Sequence, residues 1–142
     1  MLIRPYEESD EPRVVDLWVE CKLTRPWNDP RKDIARKLKI QRELFLVGVK
    51  NGQVMATAMA GYDGHRGWIN YLAVAIAHRA EGHAAALMSR IESLLLEAGC
   101  PKISLQVRAS NADAVEFYRR IGYAQDEVVS YGKRLIPDTP AA

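Results

Sequence analysis

Hydrophobic and polar positions alternate along the chain with two different periods, and each period predicts one type of element. Apolar residues recur every three or four positions in four segments, which predicts helices beginning at Ser9 or Asp10 and then at about 31–42, 82–98 and 111–121. Runs rich in β-branched and aromatic residues predict strands at 2–6, 44–50, 53–62, 68–74, 103–107 and 128–135.

The order of these elements predicts the fold class. Asn51-Gly52 joins two of the strands and is the pair that a two-residue type I′ hairpin turn prefers. Three consecutive strands favour an antiparallel meander, and the strand–helix–strand unit around residues 82–98 favours a parallel crossover. We therefore expect one α+β domain over residues 1–136, with a mixed, mostly antiparallel sheet and helices on both of its faces. A frayed tail is expected over 137–142.

Composition narrows the classes of partner. Lys and Arg number 20 against 18 for Asp and Glu, and the basic residues form no block. Nucleic-acid binding is therefore not expected, because it usually requires a concentrated positive charge. The sequence contains no run of about 18 apolar residues, so no membrane span is expected. The N-terminus lacks the apolar core of a secretory signal. A cytoplasmic location is therefore expected, with no membrane partner.

The two cysteines are interpreted as free thiols. Cys21 falls on the apolar side of the first predicted helix, and Cys100 lies in a Gly-Cys-Pro turn. No CxxC or Cys/His ligand spacing is present, so no metal site is expected.

The segment from Tyr71 to Met88 carries the clearest chemical pattern. A strand ends, a short loop contains Arg79, and a helix opens on the small residues Gly82 and Ala84. Unpaired N–H groups and the dipole at a helix N-terminus favour an anion, and small side chains let a phosphate approach them. The alternative is a junction that needs small residues only for packing.

Two motifs in this region and downstream resemble the GNAT acetyltransferases. Arg79-x-x-Gly82-x-Ala84 is similar to the Q/R-x-x-G-x-G/A motif of that family, and 107–123 is similar to its strand, its N-x-x-A-x-x-x-Y helix and its closing Gly-aromatic pair. The resemblance implies a GNAT-type sheet that binds acetyl-CoA as co-substrate. The residues it assigns to the coenzyme are Leu72, Ala73, Val74, Arg79, Ala80, Glu81, Gly82, His83, Ala84 and Asn111. From the sequence itself, Asn111 is interpreted first as the N-cap of the last predicted helix.

The proposed coenzyme loop departs from the family pattern at two positions. Ala80 replaces a glycine and is expected to require a negative φ. Glu81 replaces a basic or amide residue and would oppose Arg79 unless it points to solvent. Weaker coenzyme binding than is usual in the family is therefore expected.

Tyr118 matches the position of the family's general acid, which protonates the leaving thiolate. A core tyrosine on the last helix is the alternative.

Residues 106–114 resemble the ribosomal-protein alanine acetyltransferases, which place a glutamate base where this chain has Gln106. Because an amide cannot take a proton, Asp63 and His65 are considered as acceptor-site groups, with a turn and a solvated loop as the alternative.

Two loops resemble the bacterial YpeA-like subgroup of GNAT proteins. They contain Trp27-Asn28-Asp29-Pro30 and Tyr62–Arg66. By family topology Trp27 and Asp29 are candidate acceptor contacts, through an indole face and a carboxylate. A Pro-bounded loop anchored by one aromatic residue is the alternative.

The resulting functional prediction is acetyl transfer from acetyl-CoA to a primary amine, on a small molecule, a protein N-terminus or a lysine. Neither cysteine is paired with a base, so direct attack by the amine is expected instead of a covalent enzyme intermediate. The rival hypotheses are a GNAT-fold acyl-CoA sensor with little turnover and a plain interaction domain. A homodimer in which the last strand pairs across chains is also considered.

Overall fold

The computed structural model describes residues 1–139 and contains one five-stranded sheet with four α-helices. The elements are β1 Leu2–Pro5, α1 Glu11–Glu20, α2 Pro30–Lys37, β2 Phe45–Lys50, β3 Gln53–Tyr62, β4 Gly67–Val74, α3 His83–Glu97, β5 Ile103–Leu105 and α4 Ala112–Arg120. The strands lie in the order β1-β2-β3-β4-β5. The first four are antiparallel and β5 is parallel to β4, so the predicted meander and crossover are confirmed.

The β2–β3 hairpin has the predicted turn. Asn51 and Gly52 both have positive φ, at 53° and 74°, as a type I′ turn requires. This turn continues the right-handed twist of the two strands and fixes their register.

The central strand shows that helices cover both faces of the sheet. β3 is buried at every position from Val54 to Ala60, and a strand with consecutive buried positions has no solvated face. α1 supplies Val14, Leu17 and Trp18 to the core, and α3 supplies Leu87, Met88, Ile91 and Leu95. Each such side chain stabilises the fold by about 1.5–3 kcal/mol relative to its exposed state.

Two predicted elements are shorter than expected. α2 ends at Lys37 because the chain leaves helical geometry soon afterwards, with Gln41 in the left-handed region at a φ of 51°. β5 stops at Leu105 instead of Val107, and this early end matters for the site described below.

The predicted strand at 128–135 was wrong, since the described residues contain no strand after β5. Val128, Val129 and Tyr131 are 78, 77 and 93% exposed. A strand needs a neighbour for its backbone hydrogen bonds, and nothing within residues 1–139 pairs with this segment. The alternating apolar pattern was therefore misleading here.

The C-terminal segment is anchored where fraying was expected. The Asp138 side chain is buried and accepts hydrogen bonds from the Arg36 guanidinium at 2.5 Å and the Asp29 N–H at 2.7 Å. Residues 140–142, the rest of that expected tail, lie outside the described residues. Across residues 1–139, no helix is both long enough and apolar enough to cross a lipid bilayer.

Candidate active site

A β-bulge in β4 separates this strand from β5. Thr57 pairs with Ala73 but Met59 pairs with Asn70, so Tyr71 and Leu72 together face one residue of β3. Tyr71 has a φ of 52°, which is rare for a residue with a Cβ. β5 pairs with β4 only along Gly67–Ile69. Beyond that point the two strands separate and leave the edge of β4 at Leu72–Val74 without a strand partner.

The open edge of β4 presents the backbone of Val74. The N–H of Ala75 donates to the Met55 carbonyl of β3 at 2.8 Å, so the backbone groups of Val74 point to the opposite side, toward the gap. The Val74 carbonyl accepts long contacts from Arg79 Nε at 3.3 Å and Cys21 Sγ at 3.4 Å. An extended ligand with amide groups can pair with such an edge as an additional strand does.

Helix α3 follows the end of β4 after the loop that contains Arg79. Gly82 is the N-cap residue, has a φ of 84°, and supplies no capping side chain to the helix. A Cβ built on Gly82 would meet no atom within 4 Å. The first N–H groups of this 15-residue helix, with His83 and Ala84 in the first turn, therefore have no capping side chain and can bind an anion.

Ala80 contradicts the expectation of a negative φ. Its φ is 63°, so it takes the left-handed conformation that glycine would adopt without strain. For an L-residue this conformation costs roughly 1–2 kcal/mol. The loop therefore keeps the shape that a glycine would give it, at the expense of local strain.

Glu81 neither opposes Arg79 through a direct contact nor points freely to solvent. Its carboxylate lies 2.9 Å from His83 Nε2, 3.4 Å from His78 Nδ1 and 3.7 Å from Lys50 Nζ. Hydrogen bonding to His83, supported by the charge of Lys50, lowers the pKa of Glu81. Its negative charge is therefore compensated within the loop, and Arg79 keeps its own.

Tyr118 packs against the core with its hydroxyl accessible. Its ring lies edge-on to Phe117 and Tyr123, with centroids 5.1 and 5.8 Å apart. Within residues 1–139, every buried side-chain oxygen has a hydrogen-bond partner. The Tyr118 hydroxyl has no partner among these residues, so its oxygen is not buried and is accessible to solvent. Burial of the ring raises the pKa of Tyr118 to about 12, which keeps the phenol protonated at neutral pH.

Asn111 and Gln106 make defined contacts on the other side of the gap. The Asn111 side chain caps α4 by accepting from the Ala114 N–H at 3.1 Å, as expected for an N-cap residue. The Gln106 amide donates to the Ser130 hydroxyl. An amide held in this way positions a polar group in the gap but supplies no base.

A second cleft, of about 790 Å³, runs beside the bulge and is lined by α2, the loop before it, β4 and the segment after β5. Tyr71 and Gln106 both line it, together with Asp33 of α2. The Tyr71 hydroxyl donates to Asp33 Oδ2 at 2.6 Å, and its ring stacks on Trp18 with centroids 3.8 Å apart. Burial and the neighbouring Asp33 carboxylate raise the pKa of Tyr71, so its hydroxyl acts as a donor. The Asp33 side chain remains 25% exposed to the cleft.

The structure does not bring the four residues expected to contact the acceptor into this cleft. Asp29 caps α2 by accepting from the Arg31 N–H at 2.9 Å, and Trp27 is half exposed beside it. Asp63 accepts from the backbone N–H groups of His65 and Arg66 within its own turn, and His65 is exposed. None of the four lines the cleft.

The cleft residues that sequence reasoning missed are Asp33, Tyr71, Arg25, Lys37 and Arg108. Asp33 is one of many charges on a weakly amphipathic helix, and Tyr71 lies 38 positions later in the chain. No local spacing connects them, because only the bulge and the packing of α2 bring the two side chains together.

The sequence profile described as the acetyltransferase (GNAT) family matches residues 11–123, which is most of the chain. This range includes the bulge, the Arg79–Ala84 loop and α4.

Solved structures support the same fold. An aminoglycoside antibiotic 6'-N-acetyltransferase from Acinetobacter haemolyticus is 20% identical with a TM-score of 0.76, over 96% of this chain and 99% of that one. The ribosomal-protein-S18-alanine N-acetyltransferase from Escherichia coli is 24% identical with a TM-score of 0.70, over 85% of this chain and 76% of that one. An aminoglycoside N-acetyltransferase in complex with CoA is 16% identical with a TM-score of 0.69, over 94% of this chain and 99% of that one.

Proposed function

The chain belongs to the GNAT acetyltransferase family, and on that premise we propose that it transfers an acetyl group from acetyl-CoA to a primary amine. The observation that carries this proposal is the early end of the β4–β5 pairing at Ile69, together with the N-terminus of α3 at Gly82, which has no capping side chain and follows β4 after a short loop. The extended pantetheine arm of the coenzyme fits the open edge of β4, and the pyrophosphate at the end of that arm fits the N-terminus of α3. The loops at 27–30 and 62–66 favour the YpeA-like subgroup.

Coenzyme binding is proposed to replace a contact that is present in the free chain. In the free chain Arg79 Nε lies 3.3 Å from the Val74 carbonyl. On binding, the pantetheine amide takes over this carbonyl, and the Arg79 guanidinium turns to the pyrophosphate at Gly82–Ala84. The CoA complex of the structural neighbour supports this choice of co-substrate. Asn111 and the remaining loop residues Ala80, Glu81 and His83 border the same coenzyme.

Acyl transfer then proceeds by direct attack of the amine on the thioester. The tetrahedral oxyanion needs a hydrogen-bond donor, and the open edge of β4 at Leu72–Val74 is the nearest backbone to the proposed arm. The leaving thiolate needs a proton, which we assign to Tyr118. Its accessible hydroxyl and raised pKa keep the proton available for this step. The proton of the ammonium leaves through water, since Gln106 cannot accept it.

Two observations favour a second candidate, an acyl-CoA sensor with little turnover. Glu81 occupies a site between Lys50, His78 and His83 that a phosphate would otherwise share, and Gln106 removes the expected base. Both features reduce catalytic competence without closing the gap. Binding of acetyl-CoA without steady release of CoA, over a broad amine panel, would favour the sensor.

The test is release of free CoA from acetyl-CoA in the presence of a panel of primary amines. Tyr118→Phe is expected to lower kcat about 10²-fold, within the range for loss of a general acid, while the Kd for acetyl-CoA stays unchanged. Tyr131→Phe is the matched control, because Tyr131 is 93% exposed. Equal losses of kcat and affinity in Tyr118→Phe would make Tyr118 a structural residue.

A further inference from the structure

The cleft beside the β4 bulge is lined by more cationic than anionic side chains. Its lining includes four cationic side chains but one carboxylate, that of Asp33. The four cations are Arg25, Arg36, Lys37 and Arg108.

Only Arg36 among these cations has carboxylate partners within residues 1–139. Its guanidinium lies 3.1 Å from Asp33 and 2.5 Å from Asp138, so its charge is satisfied inside the protein. Arg25 instead donates only to the Lys22 and Thr24 carbonyls, both at 2.9 Å. The neutral partners of Arg25 leave its charge uncompensated.

Lys37 and Arg108 have no ion-pair partner among the described residues. Lys37 is half-buried, and this burial lowers its pKa, which shows that desolvation of its ammonium outweighs the attraction of nearby carboxylates. Arg108 is exposed at the opposite wall of the cleft, after β5. An anionic ligand group placed between these side chains would gain charge-assisted hydrogen bonds that the protein itself does not supply.

These cations lie apart from the proposed phosphate cradle. The cleft contacts β4 at Asn70 and Tyr71, whereas the Arg79–Ala84 loop begins after the C-terminal end of that strand. None of the loop residues lines the cleft. The uncompensated charge is therefore on the side of the gap available to the acceptor.

Asp33 supplies the complementary charge for the amine. Its carboxylate is positioned by the Tyr71 hydroxyl, shares Arg36 with Asp138 and remains partly exposed to the cleft. An ammonium group can bind there next to the bulge, and the acceptor's remaining atoms then extend toward Arg25, Lys37 and Arg108.

We infer that the acceptor is a small primary amine that also carries an anionic group, a carboxylate or a phosphate. This inference rests on the proposed function, because it names the substrate class of the same site. It excludes polycationic amines as the preferred acceptors, since additional ammonium groups would face three uncompensated cations.

The experiment measures binding of amine probes to the protein saturated with CoA, by saturation-transfer NMR and calorimetry, so that turnover is not required. β-Alanine is compared with β-alanine amide, phosphoethanolamine with ethanolamine, and putrescine serves as the dication. We expect each amine with an anionic group to bind about tenfold more tightly than its counterpart without that group, which corresponds to about 1.4 kcal/mol. The two pairs distinguish a carboxylate from a phosphate as the anionic group.

Charge-removing variants locate the effect. Arg25→Gln, Lys37→Gln and Arg108→Gln are each expected to weaken binding of the preferred anionic amine several-fold and to leave binding of the counterpart without an anionic group unchanged. Arg120→Gln is the matched control, because Arg120 is exposed on α4 and does not line the cleft. Variants that weaken both members of a pair equally would contradict a direct role for these charges.

The outcomes separate this inference from the proposed function. Anionic preference in binding without acetylation of any probe supports the inference and counts against acetyl transfer. Acetylation of putrescine, ethanolamine or β-alanine amide at least as well as the amines with an anionic group overturns the inference and leaves acetyl transfer standing. Absence of detectable binding by both anionic amines at millimolar concentration also overturns it.

Discussion

The Tyr71 hydroxyl donates a 2.6 Å hydrogen bond to Asp33, which connects the bulge of β4 to helix α2. Two further contacts hold the unusual backbone of Tyr71 in place. Thr57 Oγ1 donates to the Tyr71 carbonyl at 2.8 Å and accepts from Trp18 Nε1 at 2.9 Å. The strand proposed to bind the coenzyme and the helix that lines the proposed acceptor cleft are therefore joined through one side chain.

Tyr71→Phe tests this connection. Loss of the hydroxyl removes one hydrogen bond to a carboxylate, so the free energy of unfolding is expected to fall by about 1–2 kcal/mol in urea titrations. The KM of the amine acceptor should rise as Asp33 loses its positioning partner, while the Kd of acetyl-CoA stays the same. Tyr131→Phe should change none of these quantities. A change in coenzyme affinity alone would show that Tyr71 serves the other side of the gap.

Opposite substitutions at Ala80 and Gly82 test the backbone of the proposed coenzyme loop. Both have positive φ, at 63° and 84°. Ala80→Gly relieves strain and is expected to stabilise the protein by about 0.5–1 kcal/mol, whereas Gly82→Ala should destabilise it by about 1 kcal/mol. Thermal and urea unfolding measure both effects.

Coenzyme affinity separates strain from contact at these two positions. A Cβ at Gly82 meets no protein atom, so its only crowding would be against a bound phosphate. Gly82→Ala is therefore expected to weaken acetyl-CoA binding, and Ala80→Gly to leave it equal or tighter. Unchanged affinity in Gly82→Ala would place the phosphates elsewhere.

Asp138 gives the fold a pH dependence in the acid range. The hydrogen bond from Arg36, with a second from the Asp29 N–H, lowers the pKa of Asp138 to about 2. Because the pKa of an unfolded aspartate is about 3.9, the stabilisation is complete above that pH and is lost as the pH falls to about 2. Asp138→Asn should flatten the free energy of unfolding between about pH 4 and 2. Asp16→Asn, at an exposed position, should keep the wild-type slope.

The pH–rate profile reports on Tyr118. Since the pKa of Tyr118 is raised to about 12, its protonated form persists well above neutral pH. The turnover rate is expected to increase with pH as the amine loses its proton and to show no descending limb below about pH 10. A descending limb near pH 8 that persists in Tyr118→Phe would show that another group is the acid and would contradict this assignment.

Local patterns were sufficient for most of the fold but not for the acceptor side of the site. The Asn51-Gly52 turn, the Asn111 cap and the apolar face of α3 depend on neighbouring residues, and each was predicted from the sequence. The positive φ of Ala80 was not, because alanine has no local preference for it. Its conformation is imposed by the connection between β4 and α3.

The cleft beside the β4 bulge depends on contacts between distant residues. Asp33 and Tyr71 meet because the β4 bulge turns one side chain toward α2, and a bulge leaves no clear signal in an alternating pattern. The segment at 128–135 shows the converse, since it has the composition of a strand without a partner strand in the described residues. Secondary structure was thus more predictable than the pairing that completes it.

Calorimetric titration with acetyl-CoA tests the central claim most directly. We expect saturable binding at one site, weakened in Arg79→Gln and unchanged in Arg90→Gln, an exposed position on α3. Desulfo-CoA should bind similarly and dephospho-CoA more weakly only if the 3′-phosphate has its own contact. Absence of binding at millimolar acetyl-CoA, or equal binding in Arg79→Gln, would contradict the assignment of the Arg79–Ala84 loop as the coenzyme cradle.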